Sequence, residues 1–244
     1  MYSPAPGAPV PPDPEPSVSP WQVAVLVGGA VGTALVLAVL PIWLPALSTS
    51  LFGPDARGYW YLTRASGLVA YALAWMSMMF GVLISNRLAR MWPGGPTALA
   101  LHEHTSLLAL AFTAFHALIL LLIQDQYIHY ALPDIVIPFA GATYRPIQVG
   151  LGQIALYAFA VVTVTFYLRR QIGQRAWRVI HGVSYAVFVL ALLHGILSGT
   201  DSTNLWVWLY YAATGISLLF LTLYRLIAWH ERATALREGA LPGP

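Results

Sequence analysis

Six stretches of this chain contain no charged residue: 16–54, 65–86, 104–124, 146–168, 179–200 and 202–224. A helix needs about 20 apolar residues to cross a hydrocarbon core of ~30 Å. Each stretch is long enough, and together they use most of the 244 residues. In lipid the backbone must satisfy its own hydrogen bonds, so each stretch reads as a helix. The expected fold is an all-α integral membrane protein, a six-transmembrane-helix bundle with no room for a second folded domain. Composition agrees. Only 9% of residues are charged, against about 25% in an ordinary soluble domain.

The patterning predicts helices over Trp21–Leu44, Tyr59–Ser85, Leu99–Ile123, Pro146–Leu168, Trp177–Leu197 and Leu205–Trp229. Residues 1–20 hold eight prolines and no basic residue. They read as a disordered tail, since proline blocks helix and the segment lacks an apolar core. A signal peptide would need a positive n-region. Residues 230–244 read as a second short tail. The connection Gln124–Arg145 is the longest, with room for a short element or a docking surface.

The net charge of +3 comes from twelve arginines, no lysine and nine acids. In a membrane chain that excess reports topology, and no nucleic-acid partner is expected. Arg87, Arg90, Arg169, Arg170, Arg175, Arg178, Arg225, Arg232 and Arg237 fall on one side, and Arg57, Arg64 and Arg145 on the other. The positive-inside rule then puts both termini in the cytoplasm. Trp60, Trp92, Trp177, Trp206, Trp208 and Trp229 lie near the expected helix ends, where interfacial aromatics belong.

Four histidines inside the third and fifth spans carry the chemistry. His102 and His116 are fourteen residues apart, and His181 and His194 thirteen. At 1.5 Å rise per residue, each interval is about 20 Å along its helix. Under the arginine topology both helices run outward. His102 and His181 therefore share the cytoplasmic side, and His116 and His194 share a level nearer the outer face. Imidazole is a strong axial ligand for haem iron, and a polar ring is costly to bury in hydrocarbon without purpose. With no cysteine in the chain, iron–sulfur ligation and covalent haem attachment are excluded. The reading is two stacked b-type haems, held non-covalently, each between one His102–His181 or His116–His194 pair.

One geometric difficulty stands. Fourteen residues leave an ideal helix about 40° short of whole turns, so His102 and His116 share a face. Thirteen residues leave His181 and His194 about 140° apart. Tilt, a local distortion or ligation from different sides must absorb that angle. His104 is about 200° around from His102 and reads as an interface or hydrogen-bonding residue. His129 and His230 read as solvated. Haem propionates need cationic partners. Arg64 and Arg145 are the outer candidates, and Arg178 and Arg90 the inner ones; the alternative for each is an interfacial arginine snorkelling to headgroups. Gly67, Gly152, Gly182 and Gly195 offer close helix packing or room for a porphyrin. Trp177, Tyr185 and Phe115 are possible haem-edge or packing residues.

These residues resemble the ferric-reductase-like transmembrane domain. That domain is shared by ferric reductases, NADPH oxidases and the haem membrane subunit of the bacterial methionine-sulfoxide reductase system. The likeness runs from about Tyr59 to Tyr224, through LTRASGLVAYAL at 62–73, LHEHTSLLALAFTAFH at 101–116, PFAGATYRPIQVGLGQIALY at 138–157 and RRQIGQRAWRVIHGVSYAVFVLALLHGILSGTDS at 169–202. It is closest to standalone bacterial members, and it implies bis-histidine haem ligation by His102, His116, His181 and His194.

The chain departs from the larger relatives after its sixth span, where they carry a flavin and nicotinamide domain. It has no G-x-G-x-x-G strand–helix context, hence no expected FAD or NADPH site. The expected role is transmembrane electron transfer in the bacterial cytoplasmic membrane, as the haem subunit of an oxidoreductase. Its donor would be a separate flavin reductase or quinol. Its acceptor, ferric iron, oxygen or a partner protein, would lie at the outer face. The competing class is a haem-free six-helix transporter or assembly subunit.

Overall fold

The computed structural model describes residues 19–43, 49–51, 53, 57–123, 129–140 and 144–237. The proline-rich tail at 1–18 and the last residues, 238–244, lie outside them. Long apolar sequences with few helix breakers fold as helices wherever lipid removes competing water. No strand is present among the described residues.

The helices are α1 (Pro20–Trp43), α2 (Gly58–Ser85), α3 (Gly95–Ile119), α4 (Leu132–Val136), α5 (Pro146–Tyr167), α6 (Arg169–Ile172), α7 (Gln174–Gly182), α8 (Ser184–Ser198) and α9 (Leu205–Arg237). Proline sits in the first turn of α3 and of α5, where its missing N–H costs nothing. Gly94 precedes α3 at φ +102 and Gly173 precedes α7 at φ +84, a region that glycine alone occupies without strain. The last helix continues eight residues past the expected end at Trp229, to Arg237, because nothing in HERATALR breaks it.

Five stretches are long and apolar enough to cross a membrane: Gly58–Ser85, Gly95–Leu122, Pro146–Tyr167, Gln174–Ser198 and Leu205–Glu231. In α1 the described apolar stretch, Trp21–Val36, is shorter. Its side chains are mostly exposed, and it meets the bundle at α3.

Helices α2 and α3 pack along their length, as do α5 and α8. The two pairs face each other, and α9 packs on both α2 and α8, with Val207 and Tyr211 reaching the space between them. Polarity is inverted relative to a soluble bundle. Thr63, Ser66, Ser77, Glu103, Thr105, Gln153, Thr163 and Thr214 are buried. Val161, Val164, Val189, Ile216, Leu219 and Phe220 are exposed. Exposed apolar surface of this extent marks a lipid-facing surface.

The fifth span is interrupted. Helix α7 ends at Gly182 and α8 begins at Ser184, with Val183 N–H bonded three residues back to the Ile180 carbonyl. A three-residue turn advances about 120° per residue instead of 100°. The over-rotation falls between His181 and His194, in the direction that reduces their angular mismatch. The long loop holds α4, and a buried Gln153 anchors it. Its side-chain amide donates to the carbonyls of Asp134 (2.7 Å), Ile135 (2.7 Å) and Ile137 (3.3 Å). Gln153 lies about 10 Å inside α5, so the loop folds down beside the helix instead of spreading over its end.

Candidate functional site

The four histidines meet in two pairs. The rings of His102 and His181 have centroids 5.9 Å apart and planes at 77°. Those of His116 and His194 are 6.2 Å apart at 78°. The pairing expected from depth is the one observed, and it requires α3 and α7–α8 to run in the same direction. One cavity of about 270 Å³ touches all four rings.

Three of the rings are held the same way. His116 Nδ1–H donates to the Thr63 carbonyl at 2.7 Å, His102 Nδ1–H to the Ser77 carbonyl at 2.8 Å, and His194 Nδ1–H to the Gln148 carbonyl at 2.8 Å. A carbonyl can only accept, so the proton sits on Nδ1 and the Nε2 lone pair is free.

Four residues beyond each of these carbonyls stands a glycine. A Cβ at Gly67 would lie 2.9 Å from His116 Nδ1, one at Gly152 2.7 Å from His194 Nδ1, and one at Gly81 3.2 Å from His102 Cε1. Each imidazole thus lies in a helix groove, with a carbonyl fixing its azimuth and a glycine giving it room. On α2 the two cradles, Thr63/Gly67 and Ser77/Gly81, are fourteen residues apart. That is the interval between His102 and His116 on the facing helix.

His181 has no such cradle. Fourteen residues on from Gln148 and Gly152 along α5 stand Val162 and Phe166. His181 Nδ1 is buried without a hydrogen-bond partner. Its ring stacks instead on Trp177, with centroids 5.1 Å apart and planes at 30°.

Beside the His116–His194 pair, Arg64 and Asp201 form a two-pronged ion pair, with Arg64 Nε–H donating to Asp201 Oδ2 at 2.6 Å and a second link through Nη2. Arg64 follows Thr63, which holds His116. Asp201 lies three residues past Ser198, whose hydroxyl is 3.3 Å from His194 Nδ1. Both charged residues line the cavity. At the His102–His181 end, Glu103 is buried and accepts from the Tyr167 hydroxyl at 3.0 Å.

Other sequence-derived residues sit elsewhere. Arg145 donates to the Leu197 carbonyl and lies over the Tyr144 ring. Arg178 donates to Gln174 O in its own helix at 3.3 Å. Both are exposed and neither lines the cavity; the same holds for Arg90. His104 bonds the Ala100 carbonyl of its own helix at 2.7 Å, facing away from the cavity. His129 and His230 are exposed. Gly195 packs against Tyr211, and Gly182 is open. Tyr185 joins the apolar core around Tyr71 and Phe188, and Phe115 does not line the cavity.

The segment 129–140 contributes Tyr130, Asp134 and Ile135 to the lining of the cavity. Tyr130 and Ile135 are buried against Ala117, Leu120 and Leu121. Burial, with Tyr144 and Asp134 nearby, pushes the Tyr130 phenol up to about 12, so it stays neutral there.

Asp201, Gly81 and the carbonyl acceptors of Thr63, Ser77 and Gln148 were not singled out from sequence. The signal for the cradles is present in it: a small polar residue followed by glycine at i+4, in TRASG and again in SMMFG, at the histidine interval.

The site therefore defines a class: an all-helical bundle of apolar spans enclosing two stacked imidazole pairs. The chain belongs to the family described as a domain of unknown function, DUF8596, whose model matches residues 59–201. The matched segment contains all four histidines and both members of the Arg64–Asp201 pair. No curated protein and no solved structure is significantly similar to the chain.

Proposed function

We propose that this chain holds two b-type haems, one between each imidazole pair, and conducts electrons across a membrane. The observation that carries the reading is the spacing of the rings. With a metal–imidazole bond of about 2 Å and about 1 Å from nitrogen to ring centre, two opposed axial ligands set their centroids about 6 Å apart. The observed 5.9 and 6.2 Å match that span at both levels.

Three features of the residues fit the group. The Nδ1 hydrogen bonds leave Nε2 available and raise ligand basicity, as partners of metal-bound histidines do. One cavity reaches all four rings. Among the described residues no three His, Cys, Asp or Glu gather as a metal site. Two nitrogens per centre suit a metal whose remaining positions come from a macrocycle.

When bound, the haems supply one-electron redox chemistry. The protein's contribution would be to hold each group between two imidazoles, which favours outer-sphere transfer, and to exclude water with the segment 129–140. Arg64, which lines the cavity with its partner Asp201, is the arginine we assign to a propionate of the outer group.

In this reading α1 is the sixth span, both termini are cytoplasmic, and the membrane is the bacterial cytoplasmic one. Electrons come from a separate flavin reductase or quinol and leave to ferric iron or a partner protein. The resemblance to the ferric-reductase-like domain supports the same reading. A pyridine haemochrome assay on purified protein tests it. The expected result is about two haems b per chain. A haem-free, folded protein would favour the transporter or assembly-subunit reading instead.

A further inference from the structure

Among the described residues, three buried side-chain polar atoms lack a hydrogen-bond partner: Thr163 Oγ1, Trp177 Nε1 and His181 Nδ1. Trp177 stacks on His181, and Phe166, three residues past Thr163, has its ring 6.3 Å from Trp177. Two of the three orphans, on Trp177 and His181, therefore mark one place, the α7 side of the His102–His181 pair, and Thr163 lines the cavity that this pair faces. That place is also where the fourth cradle is missing.

The element carrying His181 is loosely held. Helix α7 has nine residues, none of them fully buried. It is bounded by Gly173 at φ +84 and by the interrupted turn at Val183. Moving His181 requires rotation of this short helix only. Moving His102, His116 or His194 means breaking a carbonyl hydrogen bond and pulling a ring from a groove in a long span.

A metal-bound imidazole without an Nδ1 acceptor is less firmly oriented and less basic. We infer that His181 is the exchangeable ligand of the inner centre, which alone of the two accepts a small neutral ligand in its place. This rests on the haem reading above. The step is a ligand exchange without electron transfer. His181 Nε2 gives up its bond to iron, the incoming ligand makes one, and His181 leaves as neutral imidazole. Thr163 Oγ1, an unpartnered hydroxyl, lines the same cavity as His181.

The probe is carbon monoxide, titrated into the purified, dithionite-reduced full chain and followed in the Soret band. The expected result is one carbon monoxide per two haems. In His194→Ala, which keeps the inner centre, the remaining haem binds it. In His102→Ala, which keeps the outer centre, the remaining haem does not. Binding of none or of two per chain, or binding by the haem left in His102→Ala, overturns the inference. Trp177→Leu tests it with all four ligands in place. Loss of the ring stacked on His181 raises carbon monoxide affinity severalfold, and an unchanged affinity overturns the inference. Protein that contains no haem fails the haem reading itself, a separate outcome visible before any gas is added.

Discussion

At the scale of single residues, the site depends on atoms that are absent. Gly67 and Gly152 leave space that the rings of His116 and His194 occupy. A branched side chain must displace an imidazole or force the helices apart, and overpacking of this kind costs about 1–3 kcal/mol. Gly67→Val and Gly152→Val are expected to lose about half the haem from folded protein, measured as haem per chain. Gly182→Ala, which meets nothing within 4 Å, should lose none.

Charge acts at the same scale. Asp201 neutralises Arg64 next to the outer pair. In a low-dielectric setting an uncompensated cation favours the added electron. Asp201→Asn should move one of two reduction waves to more positive potential, and Arg64→Gln should move the same wave to more negative potential. Spectroelectrochemical titration reads both, with the unmoved inner wave as the internal control. Equal shifts of both waves would place the pair elsewhere.

At the scale of elements, two irregularities matter more than the regular helices. The break at Val183 lets one span present His181 and His194 to facing partners. The segment around α4 is fastened to α5 by Gln153, whose amide serves three carbonyls, and by the Tyr157 hydroxyl, which donates to the Val136 carbonyl. Leaving buried carbonyls unsatisfied costs about 1–3 kcal/mol. Gln153→Leu should therefore expose the segment 130–140, with amide exchange there about ten- to a hundredfold faster. Exchange at the centre of α2 should not change. If 130–140 exchange at the native rate, Gln153 is not the anchor.

For the whole molecule, the predictions concern orientation and electron supply. The chain has no cysteine, so single cysteines at Ser19 and Thr234 are clean reporters. Both side chains are exposed. Both should react with an impermeant maleimide only in inside-out vesicles. Labelling of either from the opposite face would break the arginine-based topology. Dithionite should reduce the purified chain, whereas NADPH alone should not, because the sequence offers no nucleotide-binding turn. Direct haem reduction by NADPH in flavin-free protein would require a site not visible in these residues.

Much of this was legible in the sequence, for a physical reason. Lipid forces helices, charge-free runs set their extents, and rise per residue sets depth. Depth alone paired His102 with His181 and His116 with His194. Azimuth was not legible. The 140° conflict at His181–His194 arises only for an ideal helix, and the turn at Val183 is a local departure that apolar patterning does not encode. Nor does a charge's position along the chain say which neighbour it meets. Arg64 finds Asp201 137 residues away, while Arg145 and Arg178 turn to backbone carbonyls outside the cavity. The tertiary structure decided which carbonyl holds each imidazole, and that His181 is held by none, because hydrogen-bond partners between helices depend on rotation and register that only packing fixes.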